Sequence, residues 1–215
     1  MKEMPAINSE QMMVNSNLLL TSKLSDGGYS NTSLSNRLGQ SLQLAEQLFG
    51  PRNPFFTILG VDFTTVDHPT QIFVGAEHRQ IIVLLTQKSA LDEMNALYTL
   101  GHETFHLLSP GATTGTFLEE GLAVYLSHRF MVLNKLPVSR DSIGAGIYLE
   151  AYDHVCALLR CCEDMKEKIR EFRREPEFRQ ITSMTDEEFK QLFPLAPDPL
   201  RASLLRKFYR NGVRE

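Results

Sequence analysis

No stretch of the chain approaches the ~18 uninterrupted apolar residues that a membrane-crossing helix requires, so no membrane span is expected. Leu18-Leu19-Leu20 is too short, and its flanks too polar, for a secretory leader core, and a cytoplasmic location is the expectation. Cysteine is scarce: Cys156, Cys161 and Cys162 all fall on one late segment. An odd number without framework spacing excludes a disulfide scaffold and reads as reduced thiols. An excess of basic charge is missing too. The net charge is −4, and nothing in it points to a nucleic-acid partner. No internal repeat is found, which excludes a solenoid.

What is present is an ordinary globular composition, 42% hydrophobic and 22% charged over 215 residues. That is enough for one domain with a real core. Residues 1–33, rich in Ser, Asn, Met and Gly, read as a loosely structured arm, and 34–215 as a single domain. The apolar stripe Leu34, Leu38, Leu42, Ala45 and Leu48 predicts a short helix that Gly50-Pro51 ends. Three strands are expected next, Phe55–Phe63, Gln71–Val74 and Gln80–Thr86, with turns at Asp67-His68-Pro69 and Gly75–Arg79. The unbroken run Ile81–Leu85 has the pattern of a strand buried on both faces. Helices follow at about Leu91–Leu108, Thr116–Asn134 and Ile143–Cys162. The segment Glu163–Arg179 mixes charges of both signs around a thin stripe of Met165, Ile169 and Phe172, and reads as a solvated helix. Thr185 and Glu188 make a capping box. Asp198 and Pro199 predict the N-cap and first residue of a last helix that Gly212 ends. The fold class is α+β, a small mixed sheet with an edge strand followed by a mainly helical half.

The chemistry concentrates in Gly101-His102-Glu103-Thr104-Phe105-His106 and, downstream, Phe117-Leu118-Glu119-Glu120-Gly121-Leu122-Ala123. Histidines four apart on a helix share a face, so His102 and His106 can reach one metal ion. Glu103 then sits beside that metal, placed to act on its water. A catalytic zinc takes three protein ligands and keeps one position open, so a third ligand is needed. Glu119 and Glu120 both offer one. Thr116 and Glu119 have capping-box spacing, which turns Glu119 back toward the backbone and leaves Glu120 as the ligand. Gly121 is expected where this helix passes close to the first. His128, about 12 Å further along the same helix, is structural or on the surface. His68 reads as a loop histidine, and His154 as a satisfied core histidine.

The pattern His102-Glu103-x-x-His106 followed by Phe117-Leu118-x-Glu120-Gly121-Leu122-Ala123-x-Tyr125 resembles the gluzincin metallopeptidases over about residues 70–160. The resemblance implies a zincin-like catalytic domain, Zn2+ held by His102, His106 and Glu120, and a peptide or protein substrate. It also implies hydrolysis by a zinc-activated water with Glu103 as general base. Tyr148-Leu149-Glu150-Ala151 is similar to the aminopeptidase segment Tyr-x-x-Gly, which makes Tyr148 the candidate oxyanion donor; Tyr125 is the second. Gly75-Ala76-Glu77-His78 partly resembles an amino-terminus-binding loop. The strand before the active helix, Gln80–Leu85, would pair with an extended substrate. Thermolysin-type relatives place an Asp four residues after the third ligand, where this chain has Val124, so an orienting partner has to come from elsewhere, a part that Asp153 or Glu150 could fill. A catalytically silent metal-binding domain and a zinc amidohydrolase acting on a small substrate are the alternatives.

Overall fold

The computed structural model describes residues 34–75, 77–111, 114–138, 146–174 and 178–209. The expected arm of residues 1–33, the predicted start of the third long helix at Ile143, and Gly212 lie outside them. Among the described residues the fold is mixed, eight α-helices and a small three-stranded sheet. Helix α1 is Leu34–Phe49, followed by β1 Thr57–Thr64, β2 Thr70–Val74 and β3 Gln80–Thr86. Then come α2 Gln87–Leu91, α3 Glu93–His106, α4 Phe117–Leu133, α5 Ile147–Cys161, α6 Met165–Arg174, α7 Asp186–Leu192 and α8 Asp198–Leu205. No helix among the described residues is long and apolar enough to cross a membrane.

The strand order is β1-β3-β2, with β1 parallel and β2 antiparallel to β3. Central β3 is not buried on both faces as its apolar run predicts. Ile81, Val83 and Leu85 are fully buried against the helices, whereas Ile82 and Leu84 are half-buried. Among the described residues, helices cover one face of the sheet, so burial follows the two-residue alternation of a strand. Leu34, Leu38, Leu97, Leu100 and Phe130 complete that layer. A second core, built on Phe49, Leu118, Leu122, Val155, Phe172 and Phe189, joins α4 to the helices after it.

The helix predicted over Leu91–Leu108 is α3, Glu93–His106, and the short helix α2, Gln87–Leu91, precedes it without having been expected. Asp92 between them is extended (φ −138°, ψ 106°), and its Oδ1 accepts from Asn95 N at 3.1 Å. An aspartate that caps the next turn competes with helix continuation, so the break falls on it. Helix α4 is buried almost all round, as befits the central helix of a bundle. Two glycines set its neighbours. A Cβ at Gly101 of α3 would lie 2.9 Å from Ser127 Cα on α4. One at Gly121 would lie 2.4 Å from the Ala151 carbonyl oxygen on α5. Gly121 therefore makes room for α5, not for α3 as expected; Gly101 serves the α3–α4 approach.

The charged segment after Glu163 also departs from expectation. Met165, Ile169 and Phe172 are buried, and so is Arg173, 3% exposed. Arg173 Nη1 donates to the carbonyls of Phe49 (2.7 Å) and Gly50 (3.0 Å). Its Nη2 donates to those of Pro51 (3.0 Å) and Leu108 (3.0 Å), and to Ser109 Oγ (3.1 Å). The guanidinium thus closes the carbonyl ends of α1 and α3, where a cation is favoured. Burial pulls its pKa down to about 10, opposed by Glu46, and it stays charged at neutral pH. The capping box of Thr185 and Glu188 forms as expected. The last helix instead has Pro197 as N-cap and stops at Leu205, because the chain then turns extended and pairs with the residues before α4.

Replacing Arg173 with Met would leave several buried carbonyls without a donor. Urea denaturation of Arg173→Met is expected to show a loss of about 3 kcal/mol or more. A loss below about 1 kcal/mol would mean that the guanidinium is dispensable.

Candidate metal centre

Helix α3 carries His102 and His106 one turn apart, with their Nε2 atoms 3.3 Å from one another. Glu120, on the first turn of α4, brings Oε2 to 3.1 Å from His102 Nε2 and Oε1 to 3.8 Å from His106 Nε2. Among the described residues these three are the group whose ligand atoms converge, all within 4.8 Å. A tetrahedral zinc with bonds of 2.0–2.1 Å sets its ligand atoms about 3.3 Å apart. The observed separations match that spacing, and the donor set, two imidazoles and one carboxylate, is a common one for zinc.

Glu119 does not play the part its spacing predicts. Thr116 Oγ1 accepts from Glu119 N at 3.2 Å, so Thr116 caps α4. The Glu119 carboxylate, however, reaches across to His106 Nδ1 at 3.3 Å. That is the position an orienting partner of a ligating imidazole would take, a part for which Asp153 and Glu150 are the sequence candidates. Those two line neither cavity at the histidines, and Glu150 is engaged by Arg206 (2.7 Å) and His154 (3.5 Å). A ligating imidazole is held in tautomer and direction by such a partner on its other nitrogen. Sequence reasoning missed it because one adjacent pair of glutamates can serve two different atoms of one histidine only when α4 starts beside α3.

Electrostatics favour a cation here. Burial opposes protonation of His106, but Glu120, Glu119 and Glu103 outweigh it and raise the metal-free imidazole from 6.5 to about 10. The same carboxylates favour positive charge on His106 in the metal-free protein.

Glu103 is 4% exposed and borders a cavity of about 270 Å³ with His106, Glu119, Glu120, Thr70 and Gln71. Gln71 Nε2 donates to the Glu103 carbonyl at 3.4 Å, which ties β2 to α3. A second cavity, about 240 Å³, is walled by Tyr98, Thr99, His102, Val124 and Tyr148. The Tyr148 ring lies 5.6 Å from that of His102. Tyr125 points elsewhere, packed edge-on against Phe49 at 6.4 Å in the core. His68 and Pro69 line both cavities, and His68 Nδ1 is 2.9 Å from Asp67 Oδ1. The turn signal alone hides this histidine; only the pairing of β2 beside α3 carries it over the cleft.

Three further expectations change. Both edges of β3 are taken by β1 and β2, so it has none for a substrate; among the described residues β2 is an edge strand and borders the cleft. Glu77 sits in the β2–β3 turn, pairs with Arg79 at 3.3 Å and lines neither cavity. His154 is a partly exposed partner of Glu150, not a core histidine. His128 is buried between the rings of Tyr98 and Tyr152, a structural place consistent with its distance from the centre.

No protein-family model, curated protein or solved structure matches this chain. The functional reading therefore stands on the side chains themselves.

A raised His106 pKa stabilises the metal-free fold fully below 6.5, and that contribution is lost as pH rises through about 10. Metal must displace the same proton, so zinc affinity measured by chelator competition is expected to climb over that window. At a fixed pH, Glu119→Ala should weaken zinc binding about 10–100-fold. It keeps the backbone N–H that Thr116 caps. Affinity flat with pH, and unchanged in Glu119→Ala, would contradict this account of the centre.

Proposed function

We propose that the chain is a zinc-dependent peptidase of zincin-like fold that hydrolyses peptide bonds with Glu103 as general base. The observation that carries this reading is the convergence of His102, His106 and Glu120 beside a buried Glu103. Zinc held by those three would supply a Lewis acid that lowers the pKa of water and polarises a carbonyl.

The chain's own residues do the rest. Glu103 borders the larger cavity and accepts the proton of the attacking water, then returns it to the leaving amine. The Tyr148 hydroxyl, on the His102 side, donates to the developing oxyanion. Edge strand β2 offers its outer backbone groups to an extended peptide, in the way an added strand pairs with a sheet. Gln71 fixes that strand to the carbonyl of the general base, so substrate register and base are set together. Glu119 holds the His106 ring.

The silent-domain alternative rested on the missing aspartate at Val124, and Glu119 in the orienting place removes that support. A small amide substrate would leave the edge strand and one of two flanking cavities without a use. The three free cysteines fit a reducing compartment, and a cytoplasmic location belongs to this proposal.

Glu103→Gln keeps the size and reach of the side chain but cannot accept the proton. Cleavage profiling on a proteome-derived peptide library, with zinc content measured alongside, is expected to show zinc retained and turnover abolished. Cleavage at the wild-type rate by Glu103→Gln would sink the assignment of the base.

A further inference from the structure

The chain does not leave the molecule after α8. Phe117 N donates to the Arg206 carbonyl at 3.0 Å, and Phe208 N donates to the Gly115 carbonyl at 2.9 Å. Thr116 and Lys207 form the antiparallel bridge between those bonds. Thr116 is the N-cap of the helix that carries Glu119 and Glu120, so the returning segment is tied to the start of that helix. Phe208, 7% exposed, lies with its ring 5.1 Å from Phe117 and 4.9 Å from Tyr148. Arg206 stacks over Phe117 at 4.0 Å and reaches Glu150 Oε1 at 2.7 Å.

Tyr148 and Glu150 stand on the first turn of α5. That turn starts at Gly146 (φ 108°), which makes no side-chain capping bond. A glycine in this region of conformational space gives the entry to a helix little stiffness of its own. The returning segment adds side chains that hold the turn: the Phe208 ring against Tyr148 and the Arg206 guanidinium on Glu150. The Tyr148 ring also lies edge-on to that of His102, with centroids 5.6 Å apart.

We propose that residues 206–209 are a positioning strap for the centre, and that Phe208 sets the Tyr148 ring against His102. Through one short segment, the start of α4 with its two glutamates and the start of α5 with its tyrosine are held at a fixed separation. The catalytic part given to Tyr148 rests on the peptidase reading; the placement of its ring by Phe208 does not. A donor displaced by about 1 Å loses on the order of 10² in rate, so the strap is a positioning device with a measurable effect.

The test uses the full chain labelled with fluorotyrosine and read by fluorine NMR, the Tyr148 signal being the one absent from Tyr148→Phe. Phe208→Ala is expected to shift and broaden that signal, and Phe208→Tyr, which keeps the ring, to restore it. Phe208→Leu, which fills most of the volume without a ring, carries the same measurement if the alanine variant does not fold. A Tyr148 signal unmoved in Phe208→Ala or Phe208→Leu overturns the proposal, whether or not the protein cleaves anything. On a cleaved peptide, Phe208→Ala should lower kcat about 10²-fold with KM changed by less than about threefold. It should add nothing in the Tyr148→Phe background. An equal further loss in that background would show that Phe208 does not act through Tyr148, and would also overturn the proposal. Absence of any turnover in the wild type would count against the peptidase reading alone, since the NMR comparison still decides the strap.

Discussion

Three carboxylates, those of Glu103, Glu119 and Glu120, are buried together around two imidazoles at the junction of α3 and α4. Anionic groups taken out of water and set side by side repel, and each loses its hydration. Positive charge at the centre relieves both costs. A proton on His106 can supply it, and a divalent cation can supply more of it, at the point where His102, His106 and Glu120 converge. This is the constraint around which the helical half is arranged. It requires that α3 and α4 approach closely and that the first turn of α4 lie level with the last turns of α3.

The backbone meets that requirement by close approach and by clamps at the helix ends. Gly101 lets α3 rest on Ser127, and Gly121 lets α5 rest on the turn of α4 that bears Glu120. Arg173 gathers the carbonyls that follow α1 and α3, including that of Leu108, two residues past His106. The segment after α8 is bonded to the residues on both sides of Thr116. Each clamp acts at an end of an element that carries a site residue. The side chains of the centre are therefore held by contacts distant in sequence, and the sheet contributes mainly the strand that borders the cleft.

Much of this is legible in the residues. The helical spacing of His102 and His106, the cap at Thr116 and the three strands all follow from local pattern, and the structure places them within a residue or two of expectation. Local pattern also brings out Glu120 in preference to Glu119, although by a half-correct route: Thr116 does cap, but the Glu119 side chain goes to His106. What stays hidden is whatever depends on tertiary proximity. Arg173 looks like one more charge in a charged helix until α1 and α3 end beside it. His68 looks like a turn residue until β2 is seen to pair on the outer side of β3. The strap of 206–209 has no local signal, since a bridge with a partner some ninety positions away leaves no periodicity behind. Which strand lies at the edge beside the cleft is likewise a matter of sheet order, which the run Ile81–Leu85 cannot reveal.

The claim on which the rest turns is that His102, His106 and Glu120 hold one zinc ion. X-ray absorption at the zinc edge, on purified protein with its metal content measured, tests it most directly. One zinc per chain is expected, in a four-coordinate shell of nitrogen and oxygen at about 2.0–2.1 Å, with the scattering pattern of two imidazoles. His102→Ala and His106→Ala should each remove one imidazole or the metal itself. A protein that binds no zinc tightly, or a shell with sulfur at about 2.3 Å from the cysteines of α5, would contradict it.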